Sequence, residues 1–106
     1  MAEVKELTEN NFEEFIKQGN VLVDFYADWC MPCLTMSPIV EEISEKLKDQ
    51  IKVGKVDVGE SKEIAEKFGV SSIPNFILFK EGEQKDQFTG SMTAEELEEK
   101  IKSNIE

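Results

Sequence analysis

Residues 21–27 read Val-Leu-Val-Asp-Phe-Tyr-Ala, an apolar run broken only by Asp24. A strand with one wet face alternates apolar and polar side chains, whereas a run like this is expected of a strand covered on both faces. It therefore belongs in the middle of a sheet with helices above and below it. A chain of 106 residues with 40% apolar content can bury one such core but not two. The expectation is a single domain over residues 1–106.

The rest of the chain alternates between strand-like and helix-like periods. Residues 4–7 are a short strand candidate. Thr8 then caps a helix in which Phe12, Phe15 and Ile16 recur at helical spacing toward Gln18, before Gly19. A second helix over residues 31–48 buries a stripe of Met36, Ile39, Val40, Ile43 and Leu47, with Pro38 interrupting it and a kink expected near Ser37. Residues 51–58 form the next strand, and residues 61–68 a short helix stopped by Gly69. Residues 75–80 and 84–89 make two strands joined around Glu81-Gly82-Glu83, which reads as a hairpin. Thr93-Ala94-Glu95-Glu96 is a capping box opening the last helix, whose Leu97, Ile101 and Ile105 face inward. The order is βαβαβαββα. It predicts an α/β fold with a mixed central β-sheet, parallel at the helical crossovers and antiparallel at the hairpin, with helices on both faces.

The only cysteines, Cys30 and Cys33, lie in Trp29-Cys30-Met31-Pro32-Cys33, between the central strand candidate and the second helix. Residues three apart on a helix have Cβ atoms about 5–6 Å apart, within reach of a disulfide. Thiols at a helix N-terminus are also biased toward the reactive thiolate, because unpaired N–H groups and the helix dipole favour negative charge there. Such sheets place their chemistry in a loop leaving the carboxyl end of a central strand. The spacing points to disulfide exchange.

Charge narrows the partners. The chain carries 23 acidic residues against 12 basic ones, a net charge of −11, with no histidine. Nucleic acid is a poor partner for that balance. The absence of histidine removes the usual base for a cysteine nucleophile and the imidazole metal ligand, so any base must be a carboxylate or a lysine. No stretch approaches the ~18 consecutive apolar residues of a membrane span, and the N-terminus is acidic, so a cytoplasmic protein away from membranes is the expectation.

The chain resembles a thioredoxin from end to end. The likeness rests on residues 21–33, Pro38, Lys55-Val56-Asp57-Val58, Ile73-Pro74, residues 76–80 with Gly82, and Gly90. Three positions depart from the pattern: Met31 stands where glycine is usual, Leu34 where lysine commonly follows the second cysteine, and Asn75 where threonine often follows Ile-Pro. Residues between the cysteines tune thiolate stability, so Met31 bears on redox poise.

The resemblance implies a thioredoxin fold and a general protein-disulfide reductase. Cys30 is the expected nucleophile and Cys33, one turn in and less exposed, the resolving thiol. Asp24, a carboxylate inside an apolar strand, is expected to have a raised pKa and to take the proton from Cys33. Lys55 is its expected partner, and Pro74 is expected to be cis. Trp29, Met31, Pro32, Ile73 and Gly90 form the expected substrate-contacting rim, with the Ile73 backbone pairing to an extended substrate. No cofactor or resident metal is implied. The expected partners are a thioredoxin reductase, NADPH- or ferredoxin-linked, and disulfide-containing proteins, with the chain itself a monomer. Two alternatives stay within redox chemistry: a dedicated electron donor to one partner, and a glutaredoxin-like protein, whose Cys-Pro-Tyr-Cys type motif is absent. A third, of another class, is a metal-binding module in which two chains share an ion between their Cys-x-x-Cys pairs.

Overall fold

A computed structural model describes residues 3–105. Its elements run β1 (Lys5–Leu7), α1 (Phe12–Ile16), β2 (Asn20–Tyr26), α2 (Met31–Lys46), β3 (Lys52–Asp57), α3 (Lys62–Lys67), β4 (Asn75–Lys80), β5 (Glu83–Thr89) and α4 (Ala94–Ile105). The sheet order is β1-β3-β2-β4-β5, so the apolar run at 21–27 does occupy the centre. β3 pairs parallel with both β1 and β2, while β4 runs antiparallel to β2 and β5.

Side chains on β2 alternate between two cores because successive residues of a strand point to opposite faces. Leu22 joins Phe76, Leu78 and Val53 beneath Met36, Val40 and Ile43 of α2 and Leu97 and Ile101 of α4. Val21, Val23 and Phe25 pack on the other face with Phe12 and Ile16 of α1 and Ile64 of α3. Phe25 and Phe76 are completely buried, a state that contributes about 1.5–3 kcal/mol for each large apolar side chain.

Local differences from the periodicity have identifiable causes. Thr8 does not cap α1: its hydroxyl accepts from the Asn10 N–H at 3.2 Å, in a turn before the helix begins at Phe12. α1 stops at Ile16 because Gly19, at φ +75°, turns the chain into β2. α2 is one continuous helix across Pro38, so the interruption expected near Ser37 does not divide it. It ends two residues before Lys48, with Leu47 donating back to the Ile43 carbonyl at 2.9 Å. The hairpin turns on Glu81 (φ 52°) and Gly82 (φ 85°), both left-handed, the conformation a tight hairpin requires. Glu81 tolerates it because its N–H donates to the Gly19 carbonyl at 3.0 Å and its carboxylate accepts from the Gly19 N–H at 3.1 Å. The capping box forms as expected: Thr93 N–H to Glu96 Oε1 at 2.9 Å, and Glu96 N–H to Thr93 Oγ1 at 3.1 Å.

One glycine sits where β1 and α1 close on β3. A Cβ added at Gly54 would lie 2.6 Å from Leu7 Cδ1 and 3.0 Å from Phe15 Cε2. Gly54→Ala is therefore expected to destabilise the fold by about 1–3 kcal/mol, seen as a lower urea midpoint at unchanged slope. A midpoint equal to that of the unaltered protein would show that the β1 edge yields freely.

Candidate active site

β2 delivers the chain through Ala27, Asp28 and Trp29 to Cys30, which is extended (φ −97°, ψ 106°) and serves as the N-cap of α2. The Cys33 N–H donates to Cys30 Sγ at 3.2 Å, so the sulfur occupies the place a capping oxygen would take. Pro32 lies in the first turn, where a missing N–H costs no intrahelical bond. No acidic residue enters that turn to oppose a thiolate. Cys30 and Cys33 are joined by a disulfide, their Cα atoms 5.2 Å apart.

The two cysteines are not separated by burial. The order is the expected one, Cys33 at 4% exposed below Cys30 at 6%, but the margin is too small to tell the thiols apart, and Cys30 is buried rather than near the surface. Cys30 and Cys33 form one buried cluster with Ala27, against which Tyr26, Val58 and Ile73 pack. Helix position distinguishes them instead: Cys30 Sγ receives a backbone N–H at the helix start, and Cys33 lies within the first turn.

Around the pair the surface is apolar. Trp29 is 76% exposed, Met31 69% and Leu34 48%, three large side chains of the kind usually found inside. The sequence places Trp29 and Met31 on this rim but marks Leu34 only as a departure from the usual lysine. Its signal was there: Leu34 falls three residues after Met31, off the buried Met36, Val40 and Ile43 stripe.

The Ile73-Pro74 bond is cis. Ile73 packs against the cysteine cluster, and no backbone hydrogen bond engages it among the described residues. Gly90, at φ 92°, donates its N–H to the Pro74 carbonyl at 2.9 Å, tying the end of β5 to this loop. Asn75 also has a structural role here. Its amide donates to the Ser72 carbonyl at 3.3 Å and its oxygen accepts from Gln87 at 3.0 Å, fastening the loop to β5.

Asp24 lies on the same face of β2 as Leu22, the face α2 covers. It is 5% exposed, and its Oδ1 has no hydrogen-bond partner. Burial pushes its carboxyl up from 3.8 to about 7; the nearby Lys55 charge works downward and the Glu6 charge upward. Lys55 stands beside Asp24 in the β2–β3 register, yet its ammonium contacts Glu6 Oε1 at 3.9 Å, and no ion pair joins it to Asp24 among the described residues. Strand register makes Lys55 the neighbour of Asp24 and its charge acts on that carboxyl, as expected of a partner, while the ammonium's ion-pair contact is with a carboxylate on β1. Among the described residues no group of three or more Cys, Asp or Glu side chains could hold a metal ion, and no helix is long and apolar enough to cross a membrane.

The chain is similar to known proteins. The thioredoxin family model matches residues 3–103. The chain is 46% identical over 101 residues to a thioredoxin of Rickettsia bellii, covering 93% of this chain and 96% of that protein. It is 44% identical over 105 residues to the chloroplastic thioredoxin Y1 of Arabidopsis thaliana, covering 97% of this chain but only 61% of that longer protein. Among solved structures, a mutant thioredoxin from Halobacterium salinarum superposes with a TM-score of 0.91 at 33% identity, covering 98% of this chain and 92% of the other.

Proposed function

The chain belongs to the thioredoxin family of thiol–disulfide oxidoreductases, and from that premise we propose that it is a general protein-disulfide reductase working through Cys30 and Cys33. The observation that carries this reading is Cys30 Sγ held at the N-terminus of α2, accepting the Cys33 N–H with the second sulfur in bonding reach.

The reaction begins from the dithiol. The Cys30 thiolate attacks one sulfur of a substrate disulfide, forming a mixed disulfide and releasing the first substrate thiolate, which takes a proton from solvent. Cys33 then gives up its proton and attacks Cys30 Sγ. The substrate's second sulfur leaves as a thiolate, which takes a proton from solvent, and the protein is left with the Cys30–Cys33 disulfide. Two electrons pass to the substrate. Because Cys33 is held within one turn, the resolving attack is intramolecular and proceeds at high effective concentration.

Asp24 is assigned as the acceptor for the Cys33 proton. Its support is threefold: a place beneath α2, an oxygen without a partner, and a pKa raised to about 7, which lets both protonation states be populated near neutrality. Lys55 is assigned a modulating charge rather than a direct bond to Asp24. Trp29, Met31, Pro32, Ile73 and Gly90 are assigned to substrate contact around the disulfide, with the unengaged Ile73 backbone as the edge to which an extended chain pairs.

Thioredoxins are generally reduced by a thioredoxin reductase and act on protein disulfides. The finer assignments are a monomer reduced by an NADPH- or ferredoxin-linked reductase in the cytoplasm. A reducing compartment suits an enzyme that must return to the dithiol, and cell fractionation tests the location.

The function is tested by insulin reduction with dithiothreitol as donor. The protein is expected to bring forward the precipitation of free insulin chains by at least several-fold, and chelators are expected to leave the rate unchanged. A rate no greater than dithiothreitol alone would overturn the assignment, and loss of thiol activity on adding zinc at one ion per two chains would favour the metal module.

A further inference from the structure

A single row of side chains crosses the sheet beneath α2. In register, Glu6 of β1 stands opposite Lys55 of β3, Lys55 opposite Asp24 of β2, and Asp24 opposite Phe76 of β4. Residues in such a row point to one face and interact as neighbours. Lys55 sits between two carboxylates, and the contacts show which one holds it. Its ammonium is 3.9 Å from Glu6 Oε1 and 5.5 Å from the centre of the Tyr26 ring. Glu6 is in turn anchored, because the Tyr26 O–H donates to its two oxygens at 2.8 and 3.1 Å. Asp24 Oδ1 is left buried with no partner.

We propose that Glu6 is a positioning residue: held by Tyr26, it draws Lys55 away from Asp24 and thereby sets the pH at which Asp24 is free to accept a proton. The idea rests on the assignment of Asp24 as the acceptor for Cys33. A cation in direct contact would keep Asp24 ionised and make it a weak base. With the cation turned toward β1, burial prevails, and the Glu6 charge adds to it. The other groups facing Asp24 do not compete. β4 opposes it with Phe76, α4 contributes Leu97 and Ile101 to the core of that face, and the first turn of α2 carries no acidic side chain. Asp57 lies two register positions farther along β3, opposite Tyr26.

Glu6 and Lys55 are both substantially exposed, so changing them should leave the fold intact. The experiment follows the Asp24 carboxyl carbon by NMR against pH in the oxidised protein. Glu6→Gln should lower the Asp24 midpoint by about 0.5 pH unit or more, roughly a threefold change in ionised fraction, because one repelling charge is lost and Lys55 is freed to approach. Lys55→Met should raise it. In the Lys55→Met background, Glu6→Gln should produce a clearly smaller shift, since no cation remains to swing. An Asp24 midpoint unmoved or raised by Glu6→Gln overturns the proposal. Equal Glu6→Gln shifts in both backgrounds would overturn it as well, reducing Glu6 to a distant charge. The pH profile of the resolving step should move with the NMR midpoint. If the midpoint moves and that profile does not, the Glu6–Lys55 arrangement stands and the role of Asp24 as proton acceptor falls.

Discussion

Cys33→Ser protein is expected to accumulate as covalent adducts with its disulfide substrates, while Cys30→Ser protein forms none and loses exchange down to the uncatalysed background. The structure makes this a sharp test, because accessibility cannot assign the roles: the two residues are 6% and 4% exposed. The asymmetry is electrostatic. A charge developing on Cys30 Sγ meets the Cys33 N–H at 3.2 Å and the positive end of a 16-residue helix, and that environment lowers a thiol's pKa. Without Cys33 the first attack still occurs, but nothing within the protein resolves the mixed disulfide. Without Cys30 the attacking thiolate is gone. Mass spectrometry after incubation with a disulfide substrate counts the adducts; equal trapping by both variants would reverse or erase the assignment.

The second large effect belongs to Asp24. Its carboxyl titrates at about 7 in the folded protein against an ordinary value of 3.8, so the folded chain holds the proton more tightly than the unfolded one. The stabilisation from this protonated group is fully present below about pH 4 and is lost as pH rises through 7. At about 1.4 kcal/mol per pH unit, the loss approaches 4 kcal/mol by pH 8 as an upper figure. Asp24→Asn keeps the shape and removes the charge. The variant should therefore match or fall slightly below the native protein near pH 4, gain on it steadily toward pH 7, and stay ahead above that. Urea unfolding across this range measures the difference, and a gap that does not change with pH would show that Asp24 is not buried as an ionisable group. The same variant should slow the resolving step near neutrality. Such a site trades stability for a base poised near working pH.

Asp24 was legible from its neighbours alone, since a carboxylate between Val23 and Phe25 in an apolar strand invites a functional explanation. Its relation to Lys55 was legible only halfway. The two strands were readable, and they do pair at these residues. The side-chain partner was not, because Glu6 lies 49 positions from Lys55 and reaches it only through the β1–β3 register. Tyr26 looked like one more apolar residue of the run, and its hydroxyl acquired a role only when β1 came alongside. The similar burial of the cysteines was hidden for the same reason: Ile73 and Val58, distant in the chain, pack against the cluster they form.

Side-chain period, turn chemistry and the spacing of two thiols are relations among nearby residues, so the amino-acid order alone determined the element sequence, the central place of β2 and a reactive pair at the head of α2. The choice of which carboxylate holds the single cation in the row beneath that helix belongs to the tertiary structure. It depends on how strands remote in sequence slide into register while the two cores pack, and packing of that kind is settled by the whole chain at once.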